Sequence, residues 1–299
     1  FYSDCISATA SYAYRGLRHG GTGPLDEHIF DHPVNAIVDF RYSPSAKLHW
    51  WFDHHCSAFE SLNDRDTYMK RAIKSHHWDP EEPSCAGFMV RRLRSIFDVE
   101  LQGLDSLAVW ADKLDSAKFQ DAAQVVELDE PVHQLMIVCE HLQDGHLAER
   151  VIDAMAGGLV EDIAVDTDIK SRFLLVFEDM LRGQAVVESL YRTKRDVVIV
   201  DLADSGPVTV NKFLAYYLEP DCTYVVSLVR GRHRGVQLSV GSNPWRSFAR
   251  RHDIASICQM FGGGGHAVVG GICLPNATVE QGRAILNKIV DLLTASEAK

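Results

Sequence analysis

Asn35-Ala36-Ile37-Val38-Asp39-Phe40 and, a few residues on, Lys47-Leu48-His49-Trp50-Trp51-Phe52-Asp53-His54-His55 decide how this chain reads. Each is a short apolar run that ends in polar residues, the pattern of a strand with its functional groups at the C-terminal end. Strands that alternate with helical segments imply a parallel sheet covered on both faces. Ligands of such sheets bind outside the carboxyl ends of the strands. Asp39 and the triplet Asp53-His54-His55 therefore stand where chemistry is expected.

Working outward, Tyr2 to Leu17 opens as a polar turn and continues into a small-residue stretch, Ala8 to Ala13, expected to be helical. Residues 84–97 and 145–190 carry helical patterns, and Phe173 to Leu181 is expected to lead out of the first domain. A fresh strand pattern opens at Asp196-Val197-Val198-Ile199-Val200-Asp201. Further strands are expected at Thr223 to Leu228 and at Val236 to Val240. The expected fold is α/β in two domains, residues 1–180 and 196–299, joined by a linker at 181–195. No internal repeat or low-complexity tract interrupts this layout.

Composition narrows the partners. Of the 299 residues, 46% are hydrophobic and 24% charged, as in an ordinary globular protein. The formal net charge of −11 argues against a grip on long nucleic acid, which takes most of its affinity from basic residues on phosphates. It favours a small anionic substrate and carboxylates that hold divalent cations. No apolar run is long enough to span a bilayer, and no signal-peptide pattern is present. The chain opens on Phe1 rather than Met, so its natural start is expected upstream. The seven cysteines (Cys5, Cys56, Cys85, Cys139, Cys222, Cys258 and Cys273) form no Cys-x-x-Cys pair, which fits reduced thiols in a cytoplasmic protein.

A carboxylate and two imidazoles at a strand end can converge on a divalent cation, and such donors suit manganese as well as iron, zinc or cobalt. The alternative is a polar turn with idle histidines. Asp4, before a helix, Asp39, and Asp112, after Ser106-Leu107-Ala108-Val109-Trp110-Ala111, each have a bland reading as a cap or salt-bridge partner. Together with the histidines they would repel one another unless cations neutralise them. A second mark is Phe261-Gly262-Gly263-Gly264-Gly265-His266. Successive glycines permit close backbone approach and an anion-binding nest of N–H groups, with His266 beside it to bond a phosphate or a base. The alternative, a flexible linker, fits poorly with the apolar flanks.

With these two marks the sequence resembles the DHH phosphoesterases that carry a DHH-associated domain of subtype 1, over essentially the whole chain. The resemblance implies an N-terminal parallel-sheet catalytic domain and a smaller C-terminal α/β domain with a mixed sheet. It implies a metal position ligated by Asp4, Asp39, His54 and Asp112. Asp53 and His55 would serve the chemistry by orienting ligands and contacting the phosphate. Gly263, Gly264, Gly265 and His266 would bind substrate in a cleft between the domains. Tyr2 stands where the family has its first acid, so a second metal position is incomplete, a phenol being neutral near pH 7. Gly241 stands where many relatives have an arginine that contacts substrate; Arg232, Arg234 and Asn243 are candidates for that task, the alternative being ordinary surface polar residues near a turn.

The implied activity is manganese-dependent hydrolysis of small nucleotides, with magnesium or cobalt as other candidate ions. Short oligonucleotides, cyclic dinucleotides and 3′-phosphoadenosine phosphate are the expected substrates. A polyphosphate or other non-nucleoside phosphate hydrolase is the runner-up, and a catalytically weak nucleotide-binding module is a reading from another class. No membrane partner is expected. The family leaves room for a homodimer.

Overall fold

The computed structural model describes residues 11–17, 23–70, 75–98, 101, 103–141, 145–157, 159–231 and 235–295. Along the chain a 3-10 helix at Glu27–Ile29 precedes β1 (Ala36–Val38) and β2 (Trp50–Asp53). Then follow α1 (Leu62–Lys70), β3 (His76–Trp78), α2 (Cys85–Phe97), α3 (Leu104–Asp115), α4 (Ala122–Val126) and α5 (Pro131–His141). A helical stretch continues with α6 (Gly145–Gly157), α7 (Val160–Ala164) and α8 (Thr167–Leu190). Next come β4 (Arg192–Lys194), β5 (Val197–Asp201), α9 (Leu214–Leu218), β6 (Tyr224–Arg230) and β7 (Val236–Ser242). A second 3-10 helix at Pro244–Ala249, α10 (Ile254–Gln259), β8 (Gly264–His266), β9 (Val269–Leu274) and α11 (Val279–Thr294) complete the order. The chain forms two compact units: Phe1–Lys118 with Asp144–Ile163, and Phe119–Gln143 with Ala164–Lys299.

In the first unit β1, β2 and β3 form a parallel sheet in that order. All four residues of the central strand β2 are buried. Successive side chains of a strand point to opposite faces, and both faces are covered here. Trp51 packs with Phe40, Tyr42 and Leu48 on one side, while Trp50 and Phe52 meet Cys85, Phe88 and Leu93 of α2 on the other. The Trp51 indole N–H donates to the Phe40 carbonyl at 2.8 Å, so its polar edge is satisfied. Burial of each such aromatic stabilises the unit by about 1.5–3 kcal/mol. The third strand, β3, has no apolar run to announce it. Residues 11–17, part of the expected N-terminal helix, are not helical. Tyr12 and Tyr14 are exposed there, and a short stretch without a buried face lacks the packing that stabilises helices.

The second unit holds a six-stranded mixed sheet in the order β4-β5-β6-β7-β9-β8. β5 and β6 are parallel, and the other pairs are antiparallel. Alternate residues of β6 and β7 (Tyr224, Val226, Leu228; Val236, Leu238, Val240) share one core with Leu286, Ile289 and Leu293 of α11. Thr278 and Gln281 start α11 with a reciprocal capping box. The smaller α/β domain with a mixed sheet is thus as expected in kind.

Its boundaries differ from the expected 1–180 and 196–299. The segment 181–195 is no loose linker: α8 runs through it to Leu190, and β4 follows directly. Residues 119–143 join the second unit because its loops hold them. Asn211 Nδ2 donates to the Val125 carbonyl at 2.7 Å, and Trp245 Nε1 to that of Phe119 at 2.9 Å. Among the described residues no helix is long and apolar enough to cross a membrane.

Candidate metal centre

Because β1 and β2 are parallel and adjacent, their C-terminal ends open on the same side. Asp39 follows β1 with its N–H on the Phe52 carbonyl at 2.9 Å and a left-handed φ of 56°. Aspartate tolerates that region better than most residues, and such positions concentrate at functional sites. Asp53, the last residue of β2, is fully buried. Its Oδ1 accepts the backbone N–H groups of His54 (2.8 Å) and His55 (3.2 Å) and faces His55 Nδ1 at 2.6 Å. The carboxylate therefore shapes the turn that presents both imidazoles. The Trp78 indole N–H braces the same turn on the His55 carbonyl at 2.9 Å.

His54 is the centre of the arrangement. Its Nδ1 lies 2.9 Å from the Glu82 carbonyl, an acceptor only, so Nδ1 carries the proton and Nε2 faces away from it. Nε2 lies 3.1 Å from Asp115 Oδ2 and 3.4 Å from Asp39 Oδ1, buried and without a hydrogen bond of good geometry. Hydrogen bonding to Asp115 and then Asp39, against the opposing effect of burial, pushes the His54 pKa up to about 10. His55 is also raised, first by its hydrogen bond to Asp53. Asp115 ends α3, where a carboxylate opposes the helix dipole at a cost of about 0.3–1 kcal/mol; a cation beside it would offset that cost.

One donor atom each from Asp39, His54 and His55 lies within 4.8 Å of the others, a set that can hold a metal ion. Imidazole nitrogen and carboxylate oxygen together suit manganese, zinc, cobalt or iron(II). The donors fit the expected cation on chemistry, on spacing and on the orphaned ring nitrogen. Cys85, nearby, does not join them. Its thiol donates to the Phe52 carbonyl at 3.3 Å, and burial, then the charge of Asp39, pushes its pKa up to about 12.

The structure redistributes the expected roles. Asp39 and His54 meet, and Asp53 and His55 stand beside them. Asp112 does not face His54. Its carboxylate takes Ser84 Oγ at 2.6 Å and Arg91 at 2.6 and 3.2 Å. Burial pushes the Asp112 pKa up, but the Arg91 guanidinium and Ser84 hydroxyl outweigh it and leave the carboxyl below its usual value. The acid at His54 is Asp115, three residues on and on the same helix face. Asp4 and Tyr2, and with them the fourth ligand and the incomplete second position, lie outside the described residues, as do Arg232 and Arg234.

In the second unit the glycine run serves the fold more than expected. Gly262 takes a φ of 78° after α10, and the N–H groups of Gly262 and Gly263 donate to the carbonyls of Gln259 (3.1 Å) and Cys258 (2.9 Å). This is a glycine helix stop, so these two N–H groups are not free to form an anion nest. Gly264 to His266 form the edge strand β8. A Cβ at Gly263 would come within 2.2 Å of the Gly271 carbonyl oxygen, and one at Gly265 within 2.3 Å of the Val269 carbonyl oxygen. A Cβ at Gly264 would meet nothing within 4 Å. Asn243 is buried and its amide is satisfied within the fold. Its amide donates to the Pro220 and Cys222 carbonyls and accepts from the Trp245 N–H, at 3.1, 2.9 and 3.0 Å. At Gly241 a Cβ would lie 2.5 Å from the hydroxyl oxygen of the buried Tyr216, which fills the space a side chain would need.

Fold and cluster together define an α/β protein with an Asp/His group that can hold a metal ion at the carboxyl ends of a parallel sheet. Solved structures sharpen this class. The chain is similar to the pGpG-specific phosphodiesterase PggH from Vibrio cholerae, with a TM-score of 0.63 and 20% identity over 90% of this chain and 89% of that one. It is also similar to an exopolyphosphatase-related protein from Bacteroides fragilis, with a TM-score of 0.51 and 15% identity over 89% and 74% of the two chains. It shares its fold with both. No family model and no curated protein sequence matches the chain.

Proposed function

We propose that this protein is a metal-dependent phosphoesterase that hydrolyses small nucleotides. The observation that carries this reading is the convergence of His54 Nε2 with Asp39, both at the ends of parallel strands, and with Asp115 at the end of α3, at 3.4 and 3.1 Å. A divalent cation held there would supply Lewis acidity toward a phosphoryl oxygen and lower the pKa of bound water enough to make hydroxide available near neutral pH. Asp39, His54 and Asp115 would hold it, with Asp4 as a further ligand. His55, fixed through Nδ1 by Asp53, would donate from its other nitrogen to a phosphoryl oxygen as charge builds there. In the second unit, Gly264 and His266 are the proposed substrate contacts. The likeness in fold to a pGpG-specific phosphodiesterase makes a linear dinucleotide the first substrate to try, and manganese is the proposed ion. The likeness to an exopolyphosphatase-related protein supports polyphosphate as a second substrate class.

The test is phosphate or nucleotide release from pGpG, other dinucleotides, 3′-phosphoadenosine phosphate, polyphosphate and bis-p-nitrophenyl phosphate with Mn²⁺, Mg²⁺ or Co²⁺. Metal-dependent turnover of a dinucleotide is expected. Nucleotide binding without turnover under any of these ions would overturn the enzyme reading and leave a binding module.

A further inference from the structure

Arg91 touches neither His54 nor Asp115 in the contacts described above, yet it joins the two segments that place them. Its Nε and Nη2 donate to Glu82 Oε2 at 3.0 and 2.5 Å. Its Nη1 and Nη2 donate to the two oxygens of Asp112 at 2.6 and 3.2 Å. Glu82 lies in the loop between β3 and α2, and the backbone carbonyl of the same residue accepts from His54 Nδ1. Asp112 lies in α3, one turn before Asp115. Ser84 closes the circuit: its hydroxyl donates to Asp112 at 2.6 Å and accepts the Gly87 N–H at 3.0 Å as the N-cap of α2. Gly87 leaves room for this junction, since a Cβ there would lie 2.2 Å from Asp112 Oδ1.

We infer that Arg91 is a positioning residue of the metal centre, holding the Glu82 carbonyl on His54 and the α3 end that carries Asp115 in one register. The inference rests on the proposed metal site. Only a planar, multidentate cation can bridge two carboxylates in this way; a lysine ammonium is a point charge. The Glu82 carbonyl keeps the His54 proton on Nδ1 and so leaves Nε2 as the donor atom, a fixing of tautomer that typically changes metal affinity 10–100-fold when lost.

The experiment is Mn²⁺ titration by calorimetry of the wild type, Arg91→Met, Arg91→Lys and the isosteric Glu82→Gln, each checked for its thermal transition. A diamagnetic Zn²⁺ form is followed by ¹⁵N NMR of the His54 ring. Arg91→Met is expected to lose about 10–100-fold in Mn²⁺ affinity and the protected Nδ1–H signal of His54. Arg91→Lys is expected to recover only a small part, and Glu82→Gln to lose a few-fold. Wild-type affinity and an unchanged ring signal in both Arg91→Met and Glu82→Gln would overturn the inference alone. If Arg91→Met does not fold, Glu82→Gln and Arg91→Lys decide in the same way. A wild type that binds no Mn²⁺ would overturn the metal reading itself, and this inference with it.

Discussion

The strand-end cluster of the first unit and the glycine hairpin of the second answer differently when asked what the fold needs from them. Most of the hairpin has a structural reason. Gly262 stops a helix at positive φ, and Gly263 and Gly265 lie too close to β9 for a side chain. The cluster has little such reason. Asp39 sits half-exposed in a left-handed conformation, Asp115 opposes a helix dipole, and His54 Nε2 is buried without a well-formed hydrogen bond. Acids grouped around a buried imidazole nitrogen are what a cation site needs, whereas close packing is its own explanation.

The largest expected effect tests the cluster. Asp39→Asn keeps a residue that tolerates the left-handed region, so the fold should persist while the charge is lost. Mn²⁺ affinity is expected to fall by more than about 100-fold, beyond what loss of an outer-shell partner does, and turnover of a dinucleotide should fall below detection. Metal content by mass spectrometry that matches the wild type would refute the assignment.

The two acids of α3 give the next effect. Asp115→Asn is expected to weaken Mn²⁺ binding by roughly 10–100-fold with little change in thermal stability, because its partner is the ion and its side chain is half-exposed. Asp112→Asn should lower stability by about 1.5–3 kcal/mol through its charge-assisted bonds to Arg91 and, with that brace loosened, weaken Mn²⁺ binding less than Asp115→Asn does. Denaturant melts beside calorimetric titrations separate the two. Equal behaviour of both variants would remove the distinction drawn between ligand and brace.

Protons compete with the metal at His54, and the sign follows from its raised pKa. His54 Nε2 faces two carboxylates, which favour the protonated ring. Its contribution to stability is full below the unfolded value of 6.5 and is lost as pH rises through about 10. Metal binding runs the other way. Between pH 6 and 8.5 each ion displaces about one proton from the ring, so apparent affinity should rise by roughly tenfold per pH unit from this group. Stability of the apo form and affinity for Mn²⁺ should therefore move in opposite directions with pH. Parallel movement would mean that His54 is not where the ion binds.

What the sequence made legible follows from distance along the chain. Trp50-Trp51-Phe52 is apolar on both sides of a strand, so the buried β2 and the polar residues at its end could be read locally. The choice between Asp112 and Asp115 could not, because both lie on one helix face and only Ser84 and Arg91, from another helix and its cap, claim the first. The burial of the Asn243 amide is not legible locally, because the carbonyls that satisfy it belong to Pro220 and Cys222, in a loop before a different strand. The allocation of residues 119–143 depends on hydrogen bonds to Asn211 and Trp245, which no periodicity records.

The smallest effect returns to the hairpin, where one glycine breaks the pattern. Gly263→Ala forces a Cβ against a carbonyl oxygen and should destabilise the second unit by about 1–3 kcal/mol, the usual cost of overpacking. Gly264→Ala meets open space, so its thermal transition should stay within about 0.5 kcal/mol of the wild type. If the open edge at Gly264 is where substrate approaches the backbone, the same variant should raise KM for a dinucleotide several-fold and leave Mn²⁺ affinity unchanged. A Gly264→Ala enzyme with wild-type KM would return the whole glycine run to a structural role and leave His266 as its one substrate contact.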